Sequence, residues 1–202
     1  MIESSDELAL SGAILVGGQS RRMRGVPKGL LRYEGEPLIT RLVRLLKGRA
    51  GQVFLVGPKE GPYSQYGLPV HPDVIPDRGA PGGVHAALKH SDSEWVLVLS
   101  CDLPLLTRET LIDLVPHYDA DVVLYQSADR VQPLAALWRR SAIPVLERAL
   151  VSGCPGFAEI LTQLRVRTLE RDPGLELTNV NTVEDAKRAG LSGDALKELS
   201  PK

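Results

Sequence analysis

The chain has 202 residues with 24 Lys and Arg against 25 Asp and Glu, a formal net charge of −1, so no global field of either sign recruits a polyanion or a membrane surface, and neither nucleic acid nor membrane is expected as a partner. Its 19 Gly and 15 Pro fall well short of the ~25–30% that marks low-complexity chains, and at ~100–200 residues per domain a single domain over 1–202 is expected. Two cysteines, Cys101 and Cys154, are too few for a disulfide framework and lack CxxC spacing, which predicts free thiols in a reducing, cytoplasmic setting.

The first residues, Met1-Ile2-Glu3-Ser4-Ser5-Asp6-Glu7, are acidic where a secretory signal would carry positive charge. The ordered core is expected over about residues 12–190, with looser chain at either end. Ala13-Ile14-Leu15-Val16 is a continuous apolar run, predicting a strand covered on both faces. It empties into Gly17-Gly18, followed by Arg21, Arg22, Arg24 and, after Pro27, Lys28. Glycines after a strand admit close approach of backbone to ligand, and four cations suit a polyphosphate; a solvated basic turn would hold the same residues. Neither GxGxxG nor the GK[ST] of a Walker loop is present.

Behind Pro37, Leu38, Leu42 and Leu45 recur at helical spacing, and Val53-Phe54-Leu55-Val56 reads as the next strand. Asp77-Arg78-Gly79-Ala80-Pro81-Gly82-Gly83 is a loop before a helix predicted to start near Gly83 or Val84. Such a helix start would offer free N–H groups to an anion, although an ordinary turn explains the same glycines. Trp95-Val96-Leu97-Val98-Leu99 is a strand ending in Ser100-Cys101-Asp102-Leu103-Pro104. A carboxylate there faces the edge where α/β sheets hold ligands and is a hard oxygen donor for Mg²⁺, or else caps the turn before Pro104. Cys101 has no histidine beside it in sequence and reads as a small buried residue.

Thr107 caps a helix over residues 111–115, and Asp121-Val122-Val123-Leu124-Tyr125 is a further strand. Residues 132–138 and 166–169 read as strands, and 142–151 and 156–164 as helices. Asn179-Val180-Asn181 leads into a last helix capped by Thr182. His71, His85, His90 and His117 have no metal-ligand spacing. Strands alternating with helices predict an α/β fold with a mostly parallel sheet and helices on both faces.

Leu15-Val16-Gly17-Gly18, Arg22-Met23, Lys28, Gly82-Gly83, Cys101-Asp102-Leu103-Pro104 and Asn179-Val180-Asn181-Thr182, in that order, resemble the molybdenum cofactor guanylyltransferases of the nucleotidyltransferase superfamily. The resemblance implies a three-layer α/β/α sandwich with a mixed, mostly parallel sheet, a Rossmann-like nucleotidyltransferase fold. It implies transfer of GMP from GTP to the terminal phosphate of molybdopterin, with release of pyrophosphate. Leu15, Val16 and Gly17 would then touch GTP, with Gly18 in the same loop. Lys28 would neutralise the triphosphate with Arg22 beside it, Asp77 would face the guanosine, and Asp102 would bind Mg²⁺. Gly82 and Gly83 match a loop beside the active site, and Asn179 and Asn181 the pterin end. Transient contact with molybdoenzyme maturation proteins follows from the same resemblance. The similar enzymes usually have Ala at Val16, Gly at Arg24 and Asp at Pro27, and an asparagine where Gly57-Pro58 stand. These departures leave a cytidylyltransferase, another nucleotidyltransferase, or a non-catalytic nucleotide-binding homologue as alternatives.

Overall fold

The computed structural model describes residues 10–17, 26–127, 130–153, 156–170 and 176–193. Seven strands form one sheet in the order β5-β4-β1-β6-β8-β7-β9: β5 (Val70–His71), β4 (Gln52–Val56), β1 (Leu10–Leu15), β6 (Trp95–Ser100), β8 (Arg130–Arg139), β7 (Val122–Ser127) and β9 (Val166–Glu170). β1 pairs in parallel with β4 and β6, as do β4 with β5 and β7 with β9, while β8 runs antiparallel to both of its neighbours. This is the mixed, mostly parallel sheet expected.

Alternating side chains on the buried strands feed two cores. On one face Ile14, Leu55, Leu97 and Val123 pack with α1 (Leu38–Lys47) and α3 (Arg108–Ile112), through Ile39, Leu42, Leu46 and Leu111. On the other, Ala13, Phe54, Val98 and Trp138 pack with α2 (Gly79–His90), α4 (Ile143–Val151) and α5 (Phe157–Leu161), through Val84, Leu88, Leu146 and Ile160. The result is the three-layer sandwich. After β1 the chain adds β4 and β5 on one side, then crosses back through α2 to lay β6 on the other. That reversal opens a crevice at the carboxyl ends of the central strands.

A second sheet of β10 (Leu191–Ser192), β2 (Arg32–Tyr33) and β3 (Glu36–Pro37) was not expected. Its hairpin turns through Glu34 and Gly35, both at positive φ, and two-residue strands carry too little periodicity to be read. Leu191 is buried with Val26, Leu31, Leu38, Val180 and Ala186 in a small third core, so the chain beyond residue 190 begins with a paired strand. α3 ends at Ile112, earlier than the helix expected to Val115, and Thr107 caps it as predicted, accepting from Thr110 N at 3.2 Å. α6 (Val183–Arg188) starts with a capping box between Thr182 and Asp185.

At the far edge, Asp121 clamps β9 to β7. Its carboxylate accepts from the Arg165 guanidinium at 2.8 and 3.0 Å, from Arg165 N at 3.1 Å and from Ser141 Oγ at 2.5 Å. Arg165 foremost, with Ser141 and against the opposing effect of burial, holds this carboxyl well below the usual carboxylate range. A depressed pKa stabilises the fold fully above about pH 4 and is lost as pH falls through the folded value. Asp121→Ala should therefore lower stability at neutral pH by about 1–2 kcal/mol, a figure reduced by the solvent exposure of Arg165, or roughly 3–6 °C in Tm. Urea melts across pH should show the difference from the parent protein shrinking below about pH 4.

Candidate active site

The strand ends Leu15, Val56 and Ser100 and the loops beyond them surround a cavity of about 790 Å³, within the range of small-molecule sites. Among the described residues its charged lining is Lys28 against Glu60, Asp73, Asp77 and Asp102. Gly18 and Arg22, with Arg21, Arg24 and Cys154, lie outside the described residues.

Lys28 opens the 3-10 turn Lys28–Leu30, and its Nζ donates to Val180 O at 2.7 Å and to Asn181 Oδ1 at 3.2 Å. Val180 N in turn donates to Asp102 O at 2.8 Å. Residues separated by most of the chain are thus tied into one network, with Asn181 half-buried beside Lys28 and Asn179 exposed on the same strap. Asp185 holds the strap's turn, accepting from Asn181 N at 3.1 Å and Thr182 N at 3.0 Å. Those contacts, led by the one from Asn181, depress its carboxyl pKa.

Asp102 lines the cavity one residue past Cys101 at the end of β6, and its Oδ1 is buried with no hydrogen-bond partner among the described residues. A buried carboxylate oxygen left unpaired is costly, and a hard cation is the partner such an atom suits. Among the described residues no group of three or more His, Cys, Asp or Glu is arranged to hold a metal unaided, so a cation at Asp102 would draw its other ligands from substrate and water. Burial, with Asp102 adding to it and Lys28 opposing, pushes the Cys101 thiol up to about 12. It stays a protonated packing group, as its sequence context predicted.

Leu15, Val16 and Gly17 line the cavity, but the N–H groups of Val16 and Gly17 both donate to Val56 O, at 2.9 and 3.2 Å. These amides hold β1 to β4, correcting the expectation that glycine here frees its N–H for a ligand. The glycine at 57 serves the same seam: a Cβ there would lie 2.9 Å from both Gly17 N and Val16 Cγ2.

The helix predicted to start at Gly83 or Val84 starts at Gly79. Gly82 N donates to Arg78 O at 3.3 Å, so it is no anion donor, and a Cβ on Gly82 would press Arg78 Cβ at 2.9 Å. Gly83 borders the cavity and needs its missing side chain because Leu15 Cδ1 lies 3.1 Å from where a Cβ would stand. Gly83 seats α2 on β1 while Gly82 admits Arg78 and the Ile75 carbonyl, and the residues at the helix start that face the cavity are Gly79 and Ala80.

Asp77 lines the cavity at a left-handed φ of 58°, exposed. Four residues earlier, half-buried Asp73 lines it as well. Burial first, and then Asp77, raises the Asp73 carboxyl pKa, with His85 opposing. Sequence reasoning missed Asp73 because β5, which delivers it, spans two residues; the available signal was a second carboxylate in the same loop. It also missed Tyr63, whose Oη accepts from Gly29 N at 3.1 Å beside Lys28.

A family profile described as the MobA-like NTP transferase domain matches residues 12–168. The molybdenum cofactor guanylyltransferase of Photobacterium profundum is 31% identical, over 89% of this chain and 95% of that protein. The protein of Carboxydothermus hydrogenoformans named probable molybdenum cofactor guanylyltransferase is 32% identical, over 89% and 94%. The crystal structure of molybdopterin-guanine dinucleotide biosynthesis protein A from Archaeoglobus fulgidus superposes with a TM-score of 0.75 at 27% identity, covering 89% of this chain and 96% of that one.

The seam between β1 and β4 yields a test. Gly57→Ala should part the two loops and lower stability by about 1–3 kcal/mol through overpacking against backbone. Thermal denaturation with and without nucleoside triphosphate should show a lower melting temperature and a smaller ligand-induced rise than in the parent protein.

Proposed function

The chain belongs to the MobA-like NTP transferase family, and on that premise we propose that it transfers GMP from GTP to the terminal phosphate of molybdopterin. The observation that carries this reading is the continuous network from Lys28 through Val180 and Asn181 to the backbone of Asp102. It ties Lys28 and Asp102, which both line the cavity, to Asn181 on the late segment beside it. It so supports a triphosphate-binding cation, a metal-binding residue and an acceptor-side asparagine set next to one another.

In the reaction an acceptor phosphate oxygen bonds to the α-phosphorus of GTP while the bond from that phosphorus to the bridging oxygen of the β-phosphate breaks. The electron pair leaves with pyrophosphate. The nucleophile is already an anion, so no general base is needed. Catalysis rests on in-line placement and charge neutralisation. Lys28 supplies a fixed cation at the triphosphate, with Arg22 assigned to the same task. Mg²⁺ fits at Asp102, whose buried Oδ1 lacks a partner, and when bound there it supplies electrostatic stabilisation of the charge on the transferring and departing phosphates. The four carboxylates in the cavity lining make such a cation the more necessary for a polyanionic substrate.

Asp73 and Asp77 are assigned to the nucleoside, as acceptors for the guanine N1–H and amino group or for ribose hydroxyls. Leu15, Val16 and Gly17 form the apolar floor beside them. Asn179 and Asn181 are assigned to the pterin, and Asn181, 3.2 Å from the Lys28 ammonium, would bring acceptor and triphosphate together. We place the reaction in the cytoplasm, where a free thiol such as Cys101 persists, and assign transient contact with molybdoenzyme maturation proteins to the product's onward passage. No helix of the described residues is long and apolar enough to cross a membrane.

Purified protein with Mg²⁺, molybdopterin and each nucleoside triphosphate in turn should release pyrophosphate with GTP and form the guanine dinucleotide. Turnover favouring CTP would assign it to the cytidylyl branch instead, and nucleotide binding without pyrophosphate release would leave a non-catalytic homologue. Asp102→Asn and Lys28→Ala should each lower kcat by ~10²–10³ with circular dichroism near the parent's. The melting temperature should stay near the parent's for Asp102→Asn and fall for Lys28→Ala, which also loses the bonds to Val180 O and Asn181 Oδ1.

A further inference from the structure

We infer that Tyr63 is a positioning residue that aims Lys28 at the triphosphate, by holding the backbone of the turn from which the lysine projects. The inference rests on the reading of Lys28 as the triphosphate's cation.

The short turn at Lys28 is closed by Leu30 N to Pro27 O and Leu31 N to Lys28 O, each at 3.0 Å. Those bonds leave the N–H of Gly29 to be satisfied from outside, and Gly29 is buried. Its donor meets Tyr63 Oη at 3.1 Å. Tyr63 comes from the long connection between β4 and β5, is 7% exposed, and packs into the core that includes Cys101 and Leu103. The fit is close enough to require glycine: a Cβ at residue 29 would lie 2.8 Å from Tyr63 Cε1 and 3.1 Å from Cys101 Sγ.

Lys28 is therefore held at two points. The backbone beside it is fixed by the Tyr63 phenol, and its ammonium is met by Val180 O and Asn181 Oδ1. A lysine side chain has four flexible carbons, so its charge is well placed only when its Cα and tip are both constrained. Losing the phenol oxygen would leave a buried N–H without an acceptor, and the turn would move to find one. Burial, foremost, raises the Tyr63 pKa, so the group acts as a neutral phenol throughout the working pH range.

Tyr63→Phe keeps the ring and its packing and deletes the acceptor. Titration calorimetry with GTP, GDP and GMP, on the parent, Tyr63→Phe, Lys28→Ala and the double variant, separates a positioning role from a merely structural one. Tyr63→Phe should weaken GTP by roughly 3- to 10-fold and leave GMP close to the parent's affinity. In the Lys28→Ala background it should have no further effect on GTP. An equal loss for GTP and GMP, or additive losses in the double variant, would overturn the inference. If Lys28→Ala itself left the preference for triphosphate over monophosphate intact, the reading of Lys28 would fail first. If Lys28→Ala abolished that preference and Tyr63→Phe did not reduce it, only the role given to Tyr63 would fall.

Discussion

The ammonium of Lys28 donates to the carbonyl of Val180, a residue 152 positions away in sequence. Around that bond the second half of the site is organised. Val180 N is held by Asp102 O, and the Asn181–Thr182 turn is held by Asp185. The small core of Val26, Leu31, Leu38, Ala186 and Leu191 buries Val180 and keeps the strap against the end of the main sheet. An early turn, a central strand end and the last helix thus meet because each supplies hydrogen-bonding groups that the others leave open. The third core is what brings a segment so late in the chain against Lys28 and Asp102, two residues that line the crevice built by β1, β4 and β6.

The crevice depends equally on missing side chains. Gly57 admits Val16 and Gly17, Gly83 admits Leu15, and Gly29 admits Tyr63 and Cys101. Each marks a close approach of backbone to a neighbouring side chain or loop. Glycines that look like phosphate-loop residues in sequence can therefore be packing residues in space. Gly83 brings α2 onto β1, Gly82 admits Arg78, and Gly79 and Ala80 are left at the cavity. Charge follows a similar logic. A near-neutral chain concentrates carboxylates in its cavity with one described lysine opposite them, and that local imbalance suits a substrate arriving with a divalent cation.

Much of this was legible in the chain. The apolar runs at β1, β4, β6 and β7 announce strands buried on both faces, because continuous apolarity is what two covering layers of helices require. Asp102 could be singled out because a carboxylate directly after such a run must lie at the ligand-binding edge. Lys28 and the Asn179 to Thr182 segment carried the family resemblance. Asp73, Tyr63 and the strands of the second sheet were not legible. Two-residue strands have no periodicity, and a tyrosine in a long connection gives no sign of which distant N–H its hydroxyl will meet. The early start of α2 was missed because Gly79 and Pro81 read as loop residues, although proline is well tolerated in a helix's first turn.

The linear sequence by itself determined the fold class, the edge of the sheet that carries chemistry, and the metal-binding candidate, since these follow from local periodicity and from the direction of parallel strands. Only the tertiary structure decided which amides are spent on holding loops together, which of two carboxylates in one loop is half-buried, and which tyrosine meets the amide next to the lysine. Those outcomes are set by contacts between segments tens to more than a hundred residues apart. Such contacts depend on how the layers close over one another, a property of packing that no local pattern encodes.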